Sequence, residues 1–143
     1  MSGELGGGAE SSAAASILWA GPLDWADTDA AGIAHWTAVF RLIERAEAAL
    51  FTALGHAEMF GRAPRTAVAV RYRSPLRFND PVEVDLAVTK VGATVLEYSF
   101  VVRGPETVAA EGTISACVVD PETMRVARIP EDLRELLRGA GAQ

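Results

Sequence analysis

Two aspartates, spaced two residues apart, are the residues in this chain best suited to acid–base or nucleophilic chemistry. Asp27 and Asp29 lie in a polar turn that contains Gly32 and precedes an apolar segment beginning near Trp36. Aspartate and threonine are common turn and helix-capping residues, so residue type alone favours a structural role. However, the acids lie too far before the apolar segment for simple capping, and glycine lets backbone approach a ligand closely.

A carboxylate that faces the start of a helix has what acyl transfer requires. The first N–H groups of a helix have no partner inside the helix, so they can polarise a carbonyl group and hold the oxyanion that develops on it. The carboxylate can attack the carbonyl carbon or activate a water molecule. The turn therefore points to acyl-transfer chemistry, provided that a helix follows it.

The segment after the turn has the periodicity of a helix. Its apolar residues recur at spacings near three, four and seven, and Gly55 follows the last of them. We predict one long helix from Trp36 to Leu54, with these apolar positions: Trp36, Val39, Phe40, Ile43, Leu50 and Leu54.

The rest of the chain alternates in the manner of strands. A strand-like stretch precedes the turn, a meander of four or five strands follows the long helix, and a short amphipathic helix ends the chain. We predict an α+β domain at residues 17–138, in which an antiparallel sheet wraps around the one long helix, and a disordered tail at residues 1–16. The predicted segments are Ile17–Trp25, Thr66–Tyr72, Val82–Lys90, Thr94–Val102, Thr107–Val119, Met124–Ile129 and the helix Pro130–Arg138.

Composition excludes several kinds of function. The formal net charge is -6 and the sequence pI is about 4.9, which is unfavourable for binding nucleic acid. One cysteine and two histidines make a metal site built from these residues implausible, and no metal is expected. No apolar run is long enough to span a bilayer and the chain does not start like a secretory signal, so we expect a cytoplasmic protein without membrane contacts.

The motif around the aspartates resembles that of a known family. Asp27-Thr-Asp-Ala-Ala-Gly-Ile33 is similar to the D-x-D-x-x-G-[IV] signature of the 4-hydroxybenzoyl-CoA thioesterase and YbgC-like hotdog enzymes. Phe40–Ala46 and Tyr72–Asp80 resemble later motifs of that family, and the resemblance runs from about Leu18 to Val119.

This resemblance implies a fold, an activity and a catalytic residue. It implies a hotdog fold, a homodimer or tetramer in which two sheets join, and active sites at the subunit interface. Asp29 aligns with the catalytic aspartate, as nucleophile or general base, and the backbone N–H of Trp36 aligns with the oxyanion donor. No cofactor is expected, because coenzyme A or phosphopantetheine would enter as part of the substrate.

Two departures from the family pattern concern the acyl pocket. Trp36 stands where histidine or tyrosine is usual, and Ala38 stands where asparagine is usual, so 4-hydroxybenzoyl specificity is not carried over. An arginine cluster could meet the phosphates of coenzyme A. The candidate substrate-binding residues are Asp27, Gly32, Ile33, His35, Thr37, Phe40 and Glu44 near the turn and helix, and Arg71, Arg73 and Arg77 in the cluster.

Three other interpretations are open at this stage. The chain could release a polyketide- or enediyne-type acyl group from an acyl carrier protein. It could instead bind acyl-CoA without catalysis, in which case Asp29 would be dispensable. A hotdog hydratase is disfavoured, because its D-x-N-P-x-H pattern is absent between Asp29 and His35.

Overall fold

The computed structural model describes residues 14–139. In them the chain forms five strands, two α-helices and two single turns of 3-10 helix at Trp25–Asp27 and Ala57–Met59. The strands are β1 (Ser16–Pro22), β2 (Arg65–Tyr72), β3 (Pro81–Val91), β4 (Val95–Arg103) and β5 (Val108–Cys117), and the helices are α1 (Ala38–Ala53) and α2 (Glu131–Arg138).

Helix α1 forms where apolar residues repeat at helical spacing. Val39, Ile43 and Leu50 are buried on one side, as their spacing predicts. The helix ends before Gly55, whose φ of 80° is a left-handed conformation that suits glycine. It begins two residues later than predicted, because Trp36 and Thr37 belong to the turn that leads into it.

The sheet is antiparallel, with the strand order β1-β3-β4-β5-β2. Strands β3, β4 and β5 follow one another as the predicted meander, whereas β2 crosses to the far edge and pairs with β5. Alternate residues of β3 and β4 point to one face and are buried there, which is the pattern of a sheet with one covered face. These inward residues are Val82, Val84, Leu86, Val88, Leu96, Tyr98, Phe100 and Val102.

The covered face packs against α1, which lies mainly over β1 and β3. The predicted α+β class and hotdog arrangement are therefore confirmed: one antiparallel sheet wraps around one long helix. The largest fully buried side chains come from both layers, among them Phe51 of α1 and Tyr98 and Phe100 of β4.

Strand β2 approaches β5 very closely at Gly112. A Cβ atom at this position would lie 1.8 Å from the carbonyl oxygen of Ala69 on β2. Residue 112 must therefore be glycine for β2 to keep this position, and β2 carries Tyr72 into the site described below.

The C-terminal helix α2 closes one end of the sheet. Leu133 and Leu137 are buried, and the carbonyl of Leu137 accepts a hydrogen bond from the N–H of Ala15 at 2.9 Å. The helix ends at Gly139, which has a φ of 89°. Pro130 precedes its first turn, as the sequence predicts.

The structure also differs from the predictions for the last strand and for the end of the tail. Residues Met124–Ile129 do not form a strand, because the pairing consists of one isolated bridge between Val119 and Val126. Ser16, predicted to lie in the tail, is the first residue of β1. Of the rest of the predicted tail, residues 14 and 15 precede β1, and residues 1–13 lie outside the described residues.

Candidate active site

Asp29 lies in a tight turn held by backbone hydrogen bonds. Its N–H donates to the carbonyl of Ile33 at 2.9 Å, and its carbonyl accepts from the N–H of Gly32 at 2.9 Å. Gly32 has a φ of 80°, a conformation that disfavours other residues. The carboxylate is exposed, and its Oδ1 accepts the N–H of Ala31 at 2.8 Å. Oδ2 accepts no hydrogen bond from the described residues, so one oxygen is available for chemistry.

Asp27 anchors this turn to α1. Asp27 is 2% exposed, and its Oδ1 accepts a hydrogen bond from Nε of Arg41 at 2.5 Å. Its other oxygen lies 3.7 Å from Nη2 of Arg45. Its backbone carbonyl accepts the N–H of His35 at 2.7 Å. Asp27 therefore positions the loop from inside the protein, and its carboxylate faces α1.

A second set of contacts holds the turn against the segment after β2. The N–H of Ala34 donates to the carbonyl of Leu76 at 2.8 Å, and Ile33 forms a β-bridge with Arg77. The turn is thus fixed on two sides, which limits the movement of Asp29 between them.

The start of α1 presents an unpaired N–H group beside this turn. The N–H of Trp36 donates no hydrogen bond within residues 14–139. Its carbonyl oxygen accepts a hydrogen bond from the hydroxyl of Tyr72 at 2.5 Å, and burial raises the pKa of that hydroxyl. Because the positive end of the α1 dipole lies here, this N–H suits a developing negative charge.

His35 is held by Thr37 two residues later. Its Nδ1 lies 2.8 Å from Oγ1 of Thr37 and 3.2 Å from the backbone nitrogen of Thr37. The imidazole is half-buried, and its ring centre lies 5.6 Å from that of Trp36.

One cavity of about 300 Å³ brings these groups together. Its wall is mostly apolar, and Asp29 contributes the carboxylate. The lining residues are Asp29, Ile33, Ala34, His35, Trp36, Val39, Tyr72, Ser74, Pro75, Leu76 and Ala109. A carboxylate, an unpaired backbone N–H and an apolar wall in one cavity meet the geometric needs of acyl transfer.

Comparison with known proteins identifies the family. Residues 23–137 match the family described as the Thioesterase-like superfamily. The chain belongs to this superfamily. As a member, it is a thioester hydrolase. None of the curated protein sequences matches the chain.

Solved thioesterase structures share the fold of the chain. A 1,4-dihydroxy-2-naphthoyl-CoA thioesterase from Synechocystis is 15% identical, with a TM-score of 0.72 over 85% of this chain and 95% of that one. A gentisyl-coenzyme A thioesterase is 20% identical, with a TM-score of 0.75 over 84% and 98%. A predicted thioesterase from Bacillus stearothermophilus is 21% identical, with a TM-score of 0.76 over 86% and 94%.

Four of the site residues predicted from the sequence line the cavity of this thioesterase. They are Asp29, Ile33, His35 and Trp36. Their common position follows from the local chain, because the turn and the start of α1 are contiguous in sequence.

Five other predicted residues near the helix do not line the cavity. Asp27 faces Arg41, Gly32 shapes the turn, and Thr37 contacts His35. Phe40 is half-buried on α1, and exposed Glu44 lines separate grooves that include Phe60. These residues stay outside the site in a single copy of the chain.

The predicted arginine cluster is divided between two places. Arg73 forms an ion pair with Glu111, and both line a groove on the outer face of β2 and β5 together with Arg71. Arg77 is exposed beside the turn, across its bridge with Ile33. Among the described residues, the side chains of Arg71 and Arg77 have no ion-pair partner, so these two are the freer cations.

Sequence reasoning did not assign Tyr72 and Ser74 to the site. Both follow from the crossing of β2 to the far edge of the sheet, which brings Tyr72 to a residue 36 positions away in sequence. The available signal was the alternation of β2, which places Tyr72 on the same face as Val68 and Val70.

Two kinds of feature are absent from residues 14–139. No group of three or more histidine, cysteine, aspartate or glutamate side chains there could hold a metal ion. No helix in the same range is both long enough and apolar enough to cross a bilayer.

Proposed function

We propose that this thioesterase hydrolyses an acyl- or aryl-CoA thioester, with Asp29 as the catalytic carboxylate. One observation carries the proposal: Asp29, which has a free carboxylate oxygen, and Trp36, whose backbone N–H is unpaired in the described residues, line the same mostly apolar cavity. Within the superfamily, the D-x-D-x-x-G-[IV] motif favours the 4-hydroxybenzoyl-CoA thioesterase and YbgC-like branch.

The proposed reaction begins with the thioester carbonyl at the start of α1. The N–H of Trp36 donates to the carbonyl oxygen and stabilises the negative charge that develops there. Asp29 either attacks the carbonyl carbon, giving an anhydride that water then opens, or removes a proton from the attacking water. In both cases the carbon–sulfur bond breaks, the thiolate takes up a proton, and one water molecule is consumed per acid and thiol released.

The size and lining of the cavity favour a compact acyl group. A volume of about 300 Å³ is at the lower end of the range for small-molecule sites, roughly 300–1,000 Å³. Two of the structural relatives act on aryl-CoA esters by name. From these two relatives we expect an aryl acyl group, bound in the cavity of one copy beside the second copy.

Coenzyme A is proposed as the thiol carrier, and the working unit as a homodimer. Arg71 and Arg77 are exposed without an ion-pair partner in the described range, and can meet phosphates. The substrate supplies the thiol arm, so no resident cofactor is proposed. Cytoplasmic location stays a prediction.

The experiment measures thiol release from a panel of aryl-, short- and long-chain acyl-CoA esters. It compares wild type with Asp29→Asn, because asparagine keeps the Oδ1 contact to the N–H of Ala31 but can neither attack nor accept a proton. The matched control is Asp120→Asn. Asp120 makes the same kind of turn, its Oδ1 accepting the N–H of Glu122 at 2.8 Å, away from the cavity.

We expect Asp29→Asn to lower kcat/KM by on the order of 10²-fold or more while Asp120→Asn stays near wild type. Equal activity of Asp29→Asn and wild type would remove Asp29 from the mechanism. Inactivity of wild type on every CoA ester would exclude CoA substrates; an acylated carrier protein would then distinguish a carrier-dependent thioesterase from a non-catalytic binding protein.

A further inference from the structure

His35 makes a hydrogen bond that fixes the position of its proton. The backbone N–H of Thr37 points at Nδ1 of His35, at 3.2 Å between the nitrogen atoms. A backbone N–H can only donate, so this contact favours the tautomer in which Nδ1 accepts and carries no proton. The hydroxyl of Thr37 lies 2.8 Å from the same nitrogen and can share its single lone pair as a second donor. In this tautomer the neutral ring carries its proton on Nε2.

The Nε2 atom of His35 is accessible and has no hydrogen-bond partner in the described residues. In residues 14–139, the one buried side-chain nitrogen or oxygen without a hydrogen-bond partner is Oδ2 of Asp27. Nε2 of His35 has no partner in the same range, so it must be accessible. Since His35 lines the cavity with Asp29 and Trp36, the Nε2–H is a donor available to a bound molecule.

Tyr72 contacts the peptide group that joins Trp36 to Thr37, whose N–H donates to His35. Its hydroxyl donates to the carbonyl of Trp36 at 2.5 Å, and that carbonyl belongs to the peptide whose N–H is that of Thr37. Hydrogen bonds in a chain polarise one another, so donation to the carbonyl makes the N–H a better donor. A continuous chain of hydrogen bonds thus runs from Tyr72 through peptide 36–37 to the imidazole.

We propose that neutral His35 supplies a second hydrogen bond, from Nε2–H, to the carbonyl oxygen of the bound thioester. This proposal rests on the proposed function and adds a residue to its oxyanion site. The imidazole keeps its proton throughout; it donates a hydrogen bond and transfers nothing. Neutral imidazoles can act in this way when their tautomer is fixed. Tyr72 and Thr37 are positioning residues, because they act through His35 and the peptide that it contacts.

The tautomer is tested first, without substrate. Long-range nitrogen–proton NMR of the imidazole rings reports which nitrogen carries the proton, and His56→Gln assigns the two histidines of the chain. We expect an unprotonated Nδ1 and a protonated Nε2 for His35 near neutral pH. In Tyr72→Phe the Nδ1 resonance should move, because the Thr37 N–H becomes a weaker donor. A proton on Nδ1 of His35 in wild type would overturn the proposal.

The hydrogen bond from Nε2–H of His35 is tested with two amide variants whose side chains differ in length. The nitrogen of Gln in His35→Gln can reach the place of Nε2. In His35→Asn the side chain ends near the place of Nδ1, where its oxygen can still accept the N–H of Thr37. Loss of one oxyanion donor costs about 10²–10³ in kcat. We expect that loss for His35→Asn, with little change in KM, and a smaller loss for His35→Gln.

The outcomes separate this proposal from the proposed function. If wild type is active and both variants lose activity equally, or neither loses any, the role of His35 is wrong while the function stands. If wild type hydrolyses no thioester, the proposed function fails and the role of His35 fails with it, whatever the tautomer. Circular dichroism of both variants checks that they are folded, and the NMR result on wild type does not depend on them.

Discussion

Asp27 and Asp29 are two residues apart but occupy opposite environments. Asp27 is buried against Arg41, whereas Asp29 is exposed at the cavity with one oxygen free. The same residue type therefore serves two purposes, one to hold the loop and one to react. Substitutions at the two positions should separate stability from activity.

The substitution Asp27→Asn tests the structural role of the buried carboxylate. The amide is the same size but loses the charge that Arg41 contacts, and it leaves a polar group poorly paired in a buried place. We expect the free energy of unfolding to fall by about 1.5–3 kcal/mol, measured by urea denaturation. The control is Asp24→Asn: Asp24 is an exposed partner of Arg45 at 3.0 Å, and such pairs contribute about 0–1 kcal/mol.

Asp29→Asn provides the opposite comparison. Because the carboxylate is exposed and its turn contact survives the change, its unfolding curve should overlay that of wild type. A large loss of stability in Asp29→Asn, or none in Asp27→Asn, would contradict this division of roles.

The sequence predicted the site residues that are adjacent in the chain and missed those that come from a distant strand. Asp29, His35 and Trp36 lie together because the turn and the helix start are adjacent in the chain, so spacing alone brings them close. Tyr72 reaches Trp36 only through the order of strands in the sheet. No periodicity within β2 reveals which neighbour the strand will have.

Three elements are joined by a buried polar cluster at Glu47. Its carboxylate on α1 accepts two hydrogen bonds from Arg65 of β2, at 2.7 and 3.1 Å, and one from the hydroxyl of Tyr98 of β4, at 2.7 Å. Burial alone would lower the pKa of Arg65, yet the hydrogen bond and charge of Glu47 outweigh it and the pKa is raised. The cluster fixes how β2 and α1 lie relative to each other, and both contribute to the cavity.

Tyr98 makes this cluster sensitive to alkaline pH. Burial, followed by the charge and hydrogen bond of Glu47, raises the pKa of Tyr98 well above its usual value. The unfolded chain releases this proton above pH about 10, whereas the folded protein retains it. The folded state is therefore favoured below pH 10 and loses this advantage as pH rises, by about 1.4 kcal/mol per pH unit.

Tyr98→Phe tests this reasoning. The free energy of unfolding, measured by denaturation from pH 8 to 11, should fall less steeply above pH 10 in the variant than in wild type. A constant difference in unfolding free energy between variant and wild type near neutral pH measures the lost hydrogen bond. Only a difference in the slope of that free energy against pH reports the titration of Tyr98. Parallel curves above pH 10 would show that Tyr98 titrates alike in the folded and unfolded chains.

The sequence predicted where helices and strands form better than it predicted which strands pair. The burial of Val39, Ile43 and Leu50 follows from helical spacing, and the alternation of β3 follows from its pattern. The predicted strand Met124–Ile129 was wrong: Met124 and Val126 are exposed, and the segment pairs only through the bridge of Val126 with Val119. The hydrophobic pattern of a strand predicts which of its faces is buried. Its pairing depends on a partner strand that the local sequence does not specify.

At the scale of the whole molecule, β2 is an exposed edge. Among the described strands it pairs with β5 alone, and its other side is unpaired. Val68 is 42% exposed and Tyr72 is 48% exposed, although both lie on the face that α1 covers elsewhere. Trp36, at 63% exposed, adjoins Tyr72. Proteins rarely leave such an edge bare, because it pairs readily with another strand.

A second copy of the chain is the partner that we expect on β2, with its own β2 antiparallel to the first. The exposed apolar side chains would then be buried beside both cavities, so activity should depend on the dimer. Val68→Lys places a charge among the exposed apolar side chains of β2 and should shift the molar mass measured by light scattering from dimer to monomer, with activity falling in parallel. Val126→Lys is the control, since Val126 is 63% exposed and lies outside every strand. A folded Val68→Lys variant that stays dimeric, or a fully active monomer, would rule out pairing through β2 as the basis of activity.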